Sequence, residues 1–152
     1  MRDSSQKMFA ECNEVRIMPT KMGQKKQSIR KPIKRTIKLN PLDILFSRYI
    51  RAKAGYTCEF CGRKPANRQG LHCSHFIGRR YQNTRFLETN CACLCFTCHN
   101  YMHDFPSVHR EFFIKRIGSD KLEQLEIIAR TKSFVDRDAI AKDLKEKLKA
   151  LE

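Results

Sequence analysis

Residues 89–99 read Thr89-Asn90-Cys91-Ala92-Cys93-Leu94-Cys95-Phe96-Thr97-Cys98-His99. The stretch holds the second of two Cys-x-x-Cys pairs, Cys95/Cys98, and runs directly into a histidine. The first pair is Cys58/Cys61, and 33 residues (62–94) separate the two. A Cys-x-x-Cys turn presents two thiolates on one tight knuckle, and two such turns satisfy tetrahedral sulfur coordination. Cys58, Cys61, Cys95 and Cys98 are therefore expected to hold a structural Zn²⁺. The separation is longer than the usual short spacing, so a hairpin must lie between the knuckles. Cys91 and Cys93 alternate with Cys95 as residues on one strand face do, which points away from metal for both. Those two, with Cys12 and Cys73, read as small buried hydrophobes or incidental thiols.

Upstream of this stretch, residues 70–77 read as a strand that carries His75, followed by a basic loop over 78–85. Residues 86–94 read as the return strand, with Glu88-Thr89-Asn90 as a turn or bulge inside it. Asn90 sits where its amide can tie the two strands together. From Thr97 the spacing becomes helical, and His99, Met102 and His103 share one face. An i,i+4 histidine pair can bind one metal ion. An earlier helix opens at Asn40-Pro41: Asn40 can cap, Pro41 suits the first position, and Asp43 favours the first turn. Leu42, Leu45, Phe46, Tyr49 and Ile50 recur at helical spacing as far as Ala54, and Gly55 ends the run. Three helices fill the last third. One, over 107–117, carries Val108, Phe112, Phe113 and Ile117 and stops at Gly118. The next is capped by Ser119 and carries Leu122, Leu125, Ile128 and Ala129. The last, about 136–151, carries Ile140, Leu144, Leu148 and Leu151. All three read as packing, and His109 as an ordinary amphipathic-helix position.

The 152 residues, 41% of them hydrophobic, have the material for one small core, and the mean hydropathy of -0.58 leaves much of the chain solvated. A formal charge of +15 implies a polyanionic partner, with nucleic acid the first candidate. On charge alone a ribosome-type or membrane-surface basic protein is the plainer alternative. Nine lysines and arginines fall between Arg16 and Lys38, with no acid among them. Residues 1–39 are thus expected to be a flexible, disordered basic tail that adds affinity for phosphate without reading sequence. A zinc-stabilised domain is expected over 40–131 and a C-terminal helix over 132–152. No apolar run approaches the roughly 18 residues of a membrane span, and the N-terminus lacks a secretory apolar stretch. A soluble, cytoplasmic protein with thiols kept reduced for metal is the expectation, and no membrane partner.

The constellation His75 … Asn90 … Cys95-x-x-Cys98-His99 resembles the HNH, or ββα-metal, nucleases. Residues 72–80 (HCSHFIGRR), 84–86 (TRF), 89–99 and 109–125 (HREFFIKRIGSDKLEQL) look particularly like phage recombination nucleases of the NinG/Rap type. The likeness covers about residues 40–130. The fold it implies is α+β: a small, treble-clef-like, zinc-stabilised ββα-metal core with flanking helices. The function it implies is metal-dependent endonucleolytic hydrolysis of DNA phosphodiesters, on branched or junction DNA formed in recombination. If the chain is phage-encoded, that would occur in the host cytoplasm.

Carried over by position, the resemblance makes His75 the general base that deprotonates a water. Asn90 would fix the hairpin and so the His75 ring. His99 would ligate a divalent cation, Mg²⁺, Mn²⁺ or a second Zn²⁺, that neutralises developing charge and steadies the 3′ leaving oxygen. An imidazole base suits neutral pH, because its unperturbed pKa is about 6.5. Arg79, Arg80 and Arg85, around the strand that carries His75, would contact phosphate.

In many HNH sequences an Asp or His directly precedes the base and is the second metal ligand; here that residue is Ser74. His72 or His103 would take its place. Relatives can carry an acidic residue at the first position, but on a regular strand 72 and 75 face opposite sides, so a bulge would be needed. His103 has the simpler geometry. Junction cutting often requires two active sites, which a homodimer built on the helical C-terminal region would supply. Two rivals remain open at this point. A non-catalytic zinc-finger nucleic-acid-binding module is favoured by Ser74, and an RNA nuclease would share every catalytic residue.

Overall fold

The computed structural model describes residues 40–151, and the expected basic tail, 1–39, lies outside them. The Asn40 side chain accepts a hydrogen bond from the Leu42 N–H at 3.0 Å and opens α1, Pro41–Lys53. Arg51 and Lys53 stand in its last turn, where cations favour the helix dipole. Leu42, Phe46, Tyr49 and Ile50 are buried along one face of this helix. Gly55, at φ +57°, takes the left-handed conformation that ends it.

Two strands follow, β1 (Leu71–His75) and β2 (Cys91–Cys95), paired antiparallel in unbroken register from Leu71↔Cys95 to His75↔Cys91. Every residue of β2 is buried. The hairpin is shorter than its sequence pattern suggests. Residues 86–90 are not strand: a single turn, α2 (Gln82–Arg85), occupies the end of the expected basic loop, and a 3₁₀ turn (Glu88–Asn90) leads into β2. Phe86 is apolar because it packs edge-on against Phe46, ring centroids 5.7 Å apart, and not because it belongs to the sheet.

The outer edge of β2 is covered by the first cysteine knuckle. The Glu59 N–H donates to the Cys93 carbonyl at 2.8 Å, and the Glu59 carboxylate accepts the Cys93 N–H. An edge strand paired in this way offers no template for other chains.

Four helices complete the described chain: α3 (Phe96–Asp104), α4 (Pro106–Ile117), α5 (Ser119–Arg130) and α6 (Arg137–Lys149). Both α1 and α3 pack on the hairpin. Gly118, at φ +89°, turns the chain between α4 and α5 and occupies the cap position itself. Ser119 is therefore the first residue of α5 and not its cap; its hydroxyl donates to Asp120 at 3.1 Å. The α5 stripe is narrower than expected, since Leu122 and Leu125 are buried but Ile128 is 40% exposed. Asp136 caps α6 by accepting from Asp138 and Ala139, and Leu144 and Leu148 bury its inner face.

The last helix lies against α1. Glu88 bridges the two, accepting from Lys53 of α1 and from Lys147 of α6. Burial pushes its carboxyl up, but hydrogen bonds from Lys53, Lys147 and Tyr49 outweigh that and bring it to about 2. The result is an α+β fold of helices around a two-stranded sheet. Among the described residues no helix is long and apolar enough to cross a membrane.

Candidate functional site

Cys58 and Cys61 lie on the knuckle after α1, Cys95 ends β2, and Cys98 lies in the first turn of α3. Their four sulfurs all lie within 4.8 Å of one another. Cys61 Sγ and Cys95 Sγ are 3.8 Å apart, and a tetrahedron with Zn–S bonds of about 2.3 Å has edges of about 3.8 Å. The cluster could therefore hold a structural metal such as zinc, as its spacing suggests. Hydrogen bonding from Cys98, which outweighs burial, pulls the Cys58 thiol down to about 4, aided by the main-chain N–H groups of Cys61, Cys95 and Phe60. Cys93, between the ligands in sequence, stays out of the cluster, and burial pushes its thiol up to about 12.

Asn90 is fully buried. Its Oδ1 accepts from the Ile77 N–H at 2.7 Å, and its Nδ2 donates to the carbonyls of Ile77 (3.0 Å) and Thr84 (2.9 Å). The amide ties the loop between the strands to the start of β2, instead of tying strand to strand. The amide thereby pins Ile77, near the start of that loop, and Thr84, within it.

His75 ends β1. Its Nε2 is 3.0 Å from the Arg85 carbonyl, which only accepts, so Nε2–H donates there; the Cys73 carbonyl also lies within hydrogen-bond reach of the ring. Burial holds the imidazole below its ordinary value, with the Arg85 carbonyl opposing. Arg85 is itself fixed: its guanidinium grips the Asp43 carboxylate of α1 through Nε (2.8 Å) and Nη2. Arg85, expected to meet phosphate, is here engaged by an acid in the first turn of α1. Arg79 and Arg80 are exposed, Arg79 beside the cleft.

A cleft of about 440 Å³ opens in front of His75, lined also by Arg79, His99, Met102, His103 and His109. His99 stands between the two proposed partners: its ring centroid is 5.3 Å from that of His72 and 6.2 Å from that of His103. His72 reaches His99 from a regular strand, with no bulge, because it need not share a face with His75. Ser74 is almost fully buried. Among the described residues, the only groups of three or more His, Cys, Asp or Glu whose ligand atoms lie within 4.8 Å are the four cysteines and the trio Cys73, His75 and Cys91. His72, His99 and His103 do not close into such a trio.

Sequence reasoning passed over three residues of this region. His109 lines the cleft with its ring edge-on to Phe76 and Phe113, at 5.4 and 5.2 Å. Its Nε2 is buried without a hydrogen-bond partner, and burial lowers its pKa to about 4. Cys73 and Cys91 converge on His75. The available signal was that all five histidines (72, 75, 99, 103 and 109) fall in a span of 38 residues (72–109) beside the cysteines.

A protein-family model described as the bacteriophage lambda NinG protein matches residues 3–152. No curated protein and no solved structure matches. The chain belongs to the NinG family.

Proposed function

We propose that this member of the NinG family is a metal-dependent DNA endonuclease of the HNH type, acting on branched recombination intermediates. The observation that carries the reading is the pairing of His75 and His99 on the walls of one cleft, in the order strand, strand, helix. With Nε2–H on the Arg85 carbonyl, Nδ1 of His75 takes a proton from a water in that cleft, and the Arg85 carbonyl then stabilises the imidazolium. Asp43, holding Arg85, and Asn90, holding Ile77 and Thr84, keep the ring aimed. Arg79 meets the scissile phosphate from the cleft wall, and Arg80 meets flanking phosphate.

A divalent cation held by His99, with His72 or His103, would supply positive charge for the phosphorane and the leaving oxygen. Imidazole donors suit Mn²⁺ or a later transition ion better than Mg²⁺. The four-cysteine cluster serves as scaffold, holding α3 and therefore His99 against the hairpin. The charge of +15 fits a nucleic-acid substrate, and the preference for branches rests on the family alone.

The test is cleavage of a labelled four-way junction and its matched linear duplex with Mg²⁺, Mn²⁺ or EDTA, wild type against His75→Ala. Metal-dependent cutting of the junction, reduced at least about 100-fold in the variant, is the expected result. Equal cutting of both DNAs would remove the recombination role. Tight binding with no cutting under any metal would leave a zinc-finger binding module.

A further inference from the structure

A second group of soft ligands stands apart from the four-cysteine cluster. Cys73 and His75 are two residues apart on β1, and so on one face of the strand. Cys91 of β2 is the register partner of His75. The ligand atoms of Cys73, His75 and Cys91 all lie within 4.8 Å of one another. Cys91 is wholly buried, whereas Cys73 and His75 line the cleft. Three protein donors with one open side toward solvent is the arrangement of an open zinc site, whose fourth position is left to water. Two sulfurs and an imidazole select a thiophilic ion over Mg²⁺ or Mn²⁺.

We propose that Cys73, His75 and Cys91 form a second, inhibitory binding site for Zn²⁺ or a similar thiophilic cation. The inhibition rests on the nuclease reading above; the binding does not. Occupancy forms two metal–sulfur bonds and one metal–nitrogen bond, releases the two thiol protons to solvent and changes no oxidation state. The ion takes the lone pair with which His75 would deprotonate water, so a metal-loaded site is a disarmed one. The two candidate metals of the cleft then oppose each other: a cation on His99 assists, and zinc on the cysteine–histidine trio blocks.

The decisive experiment titrates the reduced full-length chain, carrying one equivalent of zinc, with Co²⁺ and follows thiolate-to-cobalt absorption. One further equivalent is expected in the wild type, lost in Cys73→Ser and in Cys73→Ala. Cys73 is only half-buried, so both variants should fold; circular dichroism checks this. No further equivalent in the wild type would overturn the site, and so would an equivalent that survives in both variants. A second arm measures junction cutting in Mn²⁺ with and without added Zn²⁺. Zinc at about ten times its dissociation constant should slow the wild type about tenfold by simple occupancy, and Cys73→Ser should escape. Equal inhibition of both would overturn the inhibitory role. A chain that cuts nothing under any metal would sink the nuclease reading, while the cobalt titration would still decide the binding site.

Discussion

Asn90 makes three hydrogen bonds from a fully buried side chain. Its truncation leaves the Ile77 N–H and two carbonyls without partners, and each such loss costs about 1–3 kcal/mol. Asn90→Ala should therefore lose roughly 3 kcal/mol or more in urea unfolding. A loss below about 1 kcal/mol would show that the amide does not hold the loop. The importance of Asn90 was legible from its type, a short amide in a turn or bulge of the expected return strand. Its partners were not legible, because Ile77 is 13 positions away and only the folded loop brings it back. Arg85 teaches the same lesson more sharply. In sequence it is one more cation in a basic loop; in space it meets Asp43, 42 positions upstream, and its carbonyl orients His75. His109 reads as a helix-face residue because nothing local says that Phe76 packs against it.

At the scale of elements, α1 follows local rules closely: the Asn40 cap, Pro41 and Gly55 each act where their chemistry places them. The return strand does not, since Phe86 and Leu87 carry strand-like apolarity yet belong to turns. Docking of α6 is a tertiary matter and depends on Glu88. Its carboxyl is held at about 2 in the fold, against about 4.3 in an unfolded chain. A depressed carboxyl stabilises the fold above the unfolded value and loses that contribution as pH falls toward the folded one. The melting temperature of Glu88→Gln should thus lie below wild type at about pH 6, with the gap closing between about pH 4 and 2. A gap that stays constant over that window would mean the bridge to Lys53 and Lys147 contributes nothing.

For the whole molecule, the four cysteines join three elements, the knuckle after α1, β2 and α3, around a sheet of only two strands. A core this small would gain much of its stability from a metal bound there. A strong chelator should abolish the cooperative thermal transition, read by circular dichroism, and zinc should restore it. An unchanged transition after complete metal removal would show that the cluster holds no structural ion. The sequence by itself determined the knuckle pairs, the hairpin between them, the α1 boundaries and the strand–strand–helix order that carries His75 and His99. These follow from contacts within a few residues: caps, turns, and the alternation or helical spacing of apolar side chains. Only the tertiary structure decided where the return strand starts, that Arg85 serves Asp43, and that His99 lies between His72 and His103. It alone brought Cys73 and Cys91 onto His75. Each of those depends on pairing and packing between distant segments, and local pattern carries no record of which side chains such packing will bring together.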